Sequence, residues 1–209
     1  MTVTNFGELK TAMEDELRHD NLTATQIPRF IRQGEQRLYQ KLRVRFMETI
    51  ATIATTASQQ TDALPTRFRQ ARSLYVSGSP NVRLEYRTSI EFWGVYASDA
   101  NGKPSVFTIE GENFVWGPTP DAAYNIKVLY YQEPEALSEA SDTNGVFTLD
   151  FQLLMYASLI ASAPFLKNDA RLLVWAQLYE QCLEDVMAAD SLDRYSGDVR
   201  VQERVGQQT

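Results

Sequence analysis

The sequence predicts an α+β fold: an antiparallel helical bundle from the N- and C-terminal segments, an inserted antiparallel β-rich subdomain, and a flexible C-terminal tail. Three observations predict it. Apolar residues recur every three or four positions in residues 1–45 and again in 136–193, the period of a helix with one buried face. Residues 46–135 switch to period two and favour β-branched and aromatic side chains. Residues 194–209 are polar, with Gly197, Gly206 and only three valines, too little apolar surface to fold alone.

The elements follow in order. Asn5 is placed to cap a first helix, with Glu8 three residues later as in a capping box, and Phe6, Leu9, Met13 and Leu17 form its stripe. His19-Asp20-Asn21 interrupts the pattern. A second helix begins near Thr25, tolerates Pro28 in its first turn, and carries Ile27, Phe30, Ile31, Leu38 and Leu42. Thr49 to Thr56 reads as a strand. Ser73–Val76 and Val82–Tyr86 alternate around the turn residues 77–81. Thr88 and Glu91 form a capping box for a short helix holding Phe92, Trp93 and Tyr96. Ser105–Ile109, a Glu110-Gly111-Glu112 turn, Phe114–Trp116, a Gly117–Asp121 loop and the alternating Tyr124–Tyr131 complete an expected meander of antiparallel strands. Residues 86–131 hold 10 of the 23 aromatics, which suits a small sheet with a thin core. Helix returns near Thr148, the expected cap, and is apolar nearly all round until Pro164 kinks or ends it. A last helix from about Asp169 to Asp193 buries Leu172, Ala176, Tyr179, Leu183, Val186 and Met187, widened by Trp175, Leu178 and Cys182.

Composition excludes several function classes. At 209 residues, 44% hydrophobic and 22% charged, the chain can build a core without staples. One Cys and one His cannot make an internal disulfide or a Cys/His zinc site. A formal charge of -7 excludes a protein that coats nucleic acid as a whole. The opening Met1-Thr2-Val3-Thr4-Asn5 lacks the regions of a signal peptide, and no apolar run approaches a membrane span. The expectation is a soluble protein kept in a reducing cytosol, with no contact to membrane.

Candidate chemistry is sparse. His19 beside Asp20 is a helix C-cap before it is a catalytic base, and Cys182 lies on an apolar face without a basic neighbour. The glycines are dispersed and form no phosphate loop; the acidic runs have no metal-loop frame. No catalytic residue, metal ligand or cofactor is assigned. The aromatics of the insertion read as sheet core rather than as a platform for stacked bases. The charge distribution is more informative. Arg29, Arg32, Arg37, Lys41, Arg43 and Arg45 stand against the single acid Glu35, whereas residues 133–193 hold eleven acids against Lys167 and Arg171. These are either two ordinary helix faces, or complementary surfaces of neighbouring copies, or a basic face toward nucleic acid.

Several stretches together resemble the head-to-tail adaptor (connector) proteins of tailed bacteriophages, particularly the short-tailed type. They are Leu64-Pro65-Thr66-Arg67-Phe68 with Arg72-Ser73-Leu74, Leu84-Glu85-Tyr86, Gly102-Lys103-Pro104, Ile109 to Pro118, and Pro120-Asp121-Ala122-Ala123-Tyr124. Leu129-Tyr130-Tyr131 through Pro134, Leu137 and Ser138 follow, then Tyr156, Ala157, Leu166, Asp169, Arg171, Trp175 and Tyr179. Their order and spacing span about residues 1–190. Gly145-Val146-Phe147 departs from the family pattern, and residues 194–209 match nothing in it. The resemblance implies a non-enzymatic virion protein at the head-tail junction, present in the host cytoplasm during assembly. It implies a homo-oligomeric ring of about twelve copies beneath the portal. That ring extends the DNA channel, passes double-stranded DNA transiently, and docks a tail or nozzle protein. The six basic residues from Arg29 to Arg45 then become candidates for a subunit interface or channel wall. Arg194, Tyr195, Val199, Arg200, Val201, Arg204 and Val205 become candidates for a partner-binding tail. The alternative is a cytosolic binding module that holds a peptide or oligosaccharide on the aromatic insertion.

Overall fold

A computed structural model describes residues 3–18, 25–96, 101–166 and 170–194. These residues form a mixed α+β structure with six α-helices and nine strands, and divide into two compact units. One joins the residues up to Arg45 with those from Glu135 onward; the other is Phe46–Pro134.

The first unit is helical. Asn5 caps α1 (Phe6–Leu17) by accepting the Glu8 N–H at 2.9 Å. Glu8 does not reciprocate to Asn5 as a capping box would. Its carboxylate takes the N–H and hydroxyl of Thr4 at 2.6 and 2.8 Å, and those bonds hold it below the usual carboxylate range. Arg18, with φ at 42°, is the C-cap of α1, while His19 lies outside the described residues. α2 (Gln26–Lys41) buries Ile27, Phe30, Ile31, Gly34, Glu35, Leu38 and Tyr39. α4 (Gly145–Leu149) and α5 (Phe151–Leu166) are two helices where the sequence suggested one. Asn144 caps the first, and Asp150 accepts the N–H groups of Gln152 and Leu153 at the start of the second. Thr148 is therefore inside α4, where its hydroxyl donates to the Asn144 carbonyl at 3.0 Å, and it caps nothing. α5 continues two residues past Pro164, because a proline this close to the C-terminus disturbs only the final turn.

α5 is the hub of this unit, packed by α1, α2, α4 and α6 (Leu172–Arg194). Its crossing with α2 is close: a Cβ on Gly34 would stand 2.6 Å from Ser158 Oγ and 2.8 Å from its backbone nitrogen. α6 buries Trp175, Tyr179, Leu183 and Val186. Met187, expected in the stripe, is exposed because it lies about 100° round the helix from Val186.

The second unit holds a seven-stranded, mostly antiparallel sheet in the order β1-β9-β3-β4-β6-β7-β2. Its strands are β1 (Glu48–Ala54), β2 (Thr61–Ala63), β3 (Phe68–Val76), β4 (Val82–Tyr86), β6 (Val106–Glu110), β7 (Asn113–Gly117) and β9 (Asn125–Gln132). β5 (Asn101–Gly102) and β8 (Thr119–Pro120) make a separate parallel pair. The expected meander is corrected in two places. β9 inserts between β1 and β3, and β4 runs parallel to β6. Parallel pairing needs a long crossover, and the chain from Arg87 to Ser105, containing α3 (Ser89–Val95), supplies it. Thr88 and Glu91 cap α3 with the full reciprocal capping box. The main core gathers Leu74, Val76, Leu84, Phe107, Phe114, Trp116, Ile126, Val128 and Tyr130. Trp116 Nε1 reaches Asp62 on β2 at 2.7 Å. Phe92 of α3 joins Val106 and Val115 in a second cluster.

Candidate assembly surface

α2 has two chemistries on one cylinder. Its apolar stripe faces the core, and most of its basic residues therefore face outward. Arg29, Arg32 and Arg37 are exposed; the Arg29 guanidinium lies 5.6 Å from the Phe30 ring, and Arg32 Nη1 is 3.5 Å from Glu35 Oε2.

The other end of the basic run meets acids of its own chain. Lys41 Nζ is 3.3 Å from Glu180 Oε1 and 5.3 Å from the centre of the Tyr179 ring. The Arg43 guanidinium donates to the carbonyls of Tyr39 and Leu42 at 3.1 and 2.6 Å, where the negative end of the α2 dipole favours a cation. The Arg45 N–H donates to Asp190, and its guanidinium reaches the Asp193 carboxylate at 3.7 Å and the Asp193 carbonyl at 3.2 Å. Arg194, the last residue of α6, donates to Asp190 at 2.7 Å and to the Arg43 carbonyl at 3.4 Å. Lys41, Arg43, Arg45 and Arg194 are thus drawn together with Glu180, Asp190 and Asp193. Arg29 is not part of that cluster, and Arg37 touches it only through its charge, which acts on the Tyr179 hydroxyl beside Lys41 and Glu180. Tyr195, Val199, Arg200, Val201, Arg204 and Val205 lie outside the described residues.

α6 carries a second, outward face. Leu173 and Met187 are exposed on it, and a shallow groove runs there between Leu173 and Glu184 past Glu180, while Val174 and Leu192 are exposed on another side, about 100° or more round the helix.

Sequence reasoning passed over Glu35, the acid inside the basic run. It is buried, 1% exposed, and its Oε1 accepts from the Tyr39 hydroxyl at 3.0 Å, the Leu137 N–H at 2.9 Å and Asn144 Nδ2 at 3.0 Å. Burial pushes its carboxyl up from the ordinary value, and the Leu137 and Tyr39 hydrogen bonds pull in the opposite direction. Burial, with the neighbouring Glu35 charge, also pushes the Tyr39 hydroxyl far up. The signal was present: Glu35 falls four residues after Ile31 and three before Leu38, on the apolar stripe. Asn144 joins the same network from the far side of the chain, its Oδ1 capping α4 while Nδ2 donates to Glu35, Tyr39 and the Glu135 carbonyl.

Other chemistry is thin. Among the described residues no group of three His, Cys, Asp or Glu is arranged to hold a metal, and no helix is long and apolar enough to cross a membrane. Burial pushes the Cys182 thiol up, away from the reactive thiolate. In the insertion, Phe92, Phe107, Phe114, Trp116 and Tyr130 are core, while Tyr86 and Trp93 are exposed.

The described surface therefore offers charged and apolar helix faces suited to protein contacts. A search of curated proteins finds no match to the chain. A family model does: that of the SU10 adaptor protein matches residues 4–202, nearly the whole length, and the chain belongs to this family of bacteriophage adaptors.

Proposed function

We propose that the chain is a head-to-tail adaptor whose helical unit, arranged as an antiparallel bundle, assembles side by side into a closed ring beneath the portal. Membership of the family makes it a structural protein of the phage virion. In the proposed role it sits at the head-tail junction, extends the DNA channel and presents a docking surface to a tail or nozzle protein. The ring has about twelve copies, joined by heterologous contacts that close on themselves. The observation that carries this reading is the uncovered face of α6, where Leu173 and Met187 stand exposed with Glu180 and Glu184. An exposed apolar strip edged by acids suits a neighbour that offers cations, and Arg29 and Arg37 of α2 supply them. Arg32, Lys41, Arg43 and Arg45 extend the same candidate surface toward the interface or the channel wall. A modest basic face also suits a channel that passes DNA without gripping it. Residues 194–209 are assigned to the portal or a neighbouring copy, on their polar composition.

The test is the mass of the purified protein, alone and mixed with portal rings. Twelve copies at 23.8 kDa each add about 290 kDa. A gain of that order supports the reading. A mass that stays at one copy with every portal tried overturns it.

A further inference from the structure

The seven-stranded sheet has two unlike edges. β2, at one end, is 3 residues long. β1, at the other, has 7, and pairs with β9 in unbroken register from Glu48 to Ala54. Proteins usually blunt a long edge strand with a charge, a proline or a bulge. From Thr49 to Ala54, β1 has none of these.

Hydrogen bonds at the end of β1 fix which of its backbone groups point outward. The Thr55 N–H donates to the Tyr124 carbonyl at 2.9 Å, whereas the carbonyl of Asn125, opposite Ala54, accepts from the Ser77 N–H on the β3 side at 2.8 Å. Alternate residues of an antiparallel strand bond the same neighbour, so Thr49, Ala51 and Ile53 bond β9. The N–H and C=O groups of Ile50, Thr52 and Ala54 point to the open edge, and among the described residues they have no partner. The side chains of these three residues lie on the exposed face of the strand. Ile50 is 68% exposed, and the half-buried Leu129 stands opposite it on β9.

The chain itself contains a segment that fits this edge. Residues 195–209 lie outside the described residues, and within them the sequence alternates. In an extended strand Val199, Val201 and Val205, with Glu203 between the last two, share one side, and Arg200, Gln202 and Arg204 share the other. Val199–Val205 equals β1 in length, 7 residues, and Ser196 and Gly197 before it are turn residues. The other stretches outside the described residues have at most the 6 of residues 19–24, too few to pair along all of β1. A segment too polar to fold alone needs no core of its own when it adds to a finished sheet. We propose that Val199–Val205 of a neighbouring copy adds antiparallel to β1 as a further strand. Its backbone takes the outward groups of Ile50, Thr52 and Ala54, and its valines extend the row of Leu129 and Ile50. A tail of one copy on the sheet edge of the next is a heterologous contact, the kind that a ring repeats. This deepens the ring-forming part of the proposed function and rests on it.

The probe is a fluorescent, end-capped peptide of residues 197–207, titrated into the full chain. Hydrogen exchange at the amides of Ile50, Thr52 and Ala54 is read with peptide, without it, and on portal rings. Saturable binding is expected, with exchange slowed at those three amides. A Val201→Pro peptide should bind about tenfold more weakly or worse, because it lacks a donor that the ladder needs. N-methylation at Val199 and Val201 should weaken binding as much, and at Arg200 and Gln202, whose N–H groups point away from β1, should cost less. In the chain, Thr52→Pro removes an outward N–H and spares the ladder to β9, and Ile50→Asp changes only the exposed face; each should weaken binding in the same direction. Failure of the peptide to bind, or binding that neither Val201→Pro nor Ile50→Asp changes, overturns the proposal. Slow exchange in the free chain at every dilution overturns it too, by assigning the edge to the chain's own tail. So does protection on portal rings that survives Val201→Pro in the chain, by assigning the edge to a portal strand. A chain that reaches ring mass on the portal with these amides unprotected defeats the tail contact alone; one that binds the peptide but joins no portal defeats the adaptor reading alone.

Discussion

Glu35 and Gly34 are neighbours with opposite vulnerabilities. Glu35 serves as acceptor for three donors from separate parts of the chain. Glu35→Ala takes the acceptor from the Tyr39 hydroxyl and the Leu137 N–H, while Asn144 Nδ2 keeps Tyr39 and the Glu135 carbonyl, at an expected cost of about 3 kcal/mol in a denaturant titration. The pH response is a separate prediction. Burial raises the folded-state pKa above the ordinary 4.5, so the folded chain holds this proton more tightly than the unfolded one. Its contribution to stability is full at low pH and is lost as pH rises through the raised value. Compared with Glu35→Gln across that window, the native chain should lose stability as pH rises, and thermal unfolding of the pair at matched pH checks the sign. Gly34 is constrained by space alone. A methyl group there meets the Ser158 backbone, so Gly34→Ala should cost about 1–3 kcal/mol by forcing α2 and α5 apart, although alanine favours a helix elsewhere. Circular dichroism should show helix retained while the unfolding midpoint falls.

At the scale of elements, legibility followed the range of the interaction. The caps of α1 and α3 and the stripe of α2 are encoded within four residues of each other and were readable. The alternation of Ile126, Val128 and Tyr130 was equally plain, and all three are buried. What could not be read was pairing. Nothing near Tyr124 says that its strand slots between β1 and β3. The helix between β4 and β6 did hold the clue to their parallel arrangement, since a hairpin needs no helix in its turn. Charge was legible as a pattern but not as a set of partners: Lys41 and Arg45 meet acids of their own α6. Charge reversals should separate the two ends of α2. Lys41→Glu opposes Glu180 and should cost up to about 1 kcal/mol in the isolated chain. Arg37→Glu should leave the unfolding midpoint of the isolated chain nearly unchanged.

At the scale of the whole molecule, the same substitution acquires a different readout. If Arg37 and Arg29 meet the acidic face of the next copy, the double reversal to glutamate should abolish the mass gain on portal rings while the isolated chain still folds. Retention of the full gain would remove these residues from the interface. Assembly also inherits a timetable from the connectivity. β1 ends at Ala54 and its neighbour β9 starts at Asn125. At ribosomal speed that gap is a wait of about 4–14 s for the nascent strand. α2 waits longer for α5, which begins at Phe151. The sheet acquires its last strand with Gln132, before any residue of α5 has been translated. β9 thus emerges from the ribosome before α5, and the β unit can close while the first two helices still lack the helix that covers them. A truncated chain released with its end between these points carries every strand of the sheet and an unsheltered α2, which makes such fragments substrates for chaperones and proteases rather than for the virion.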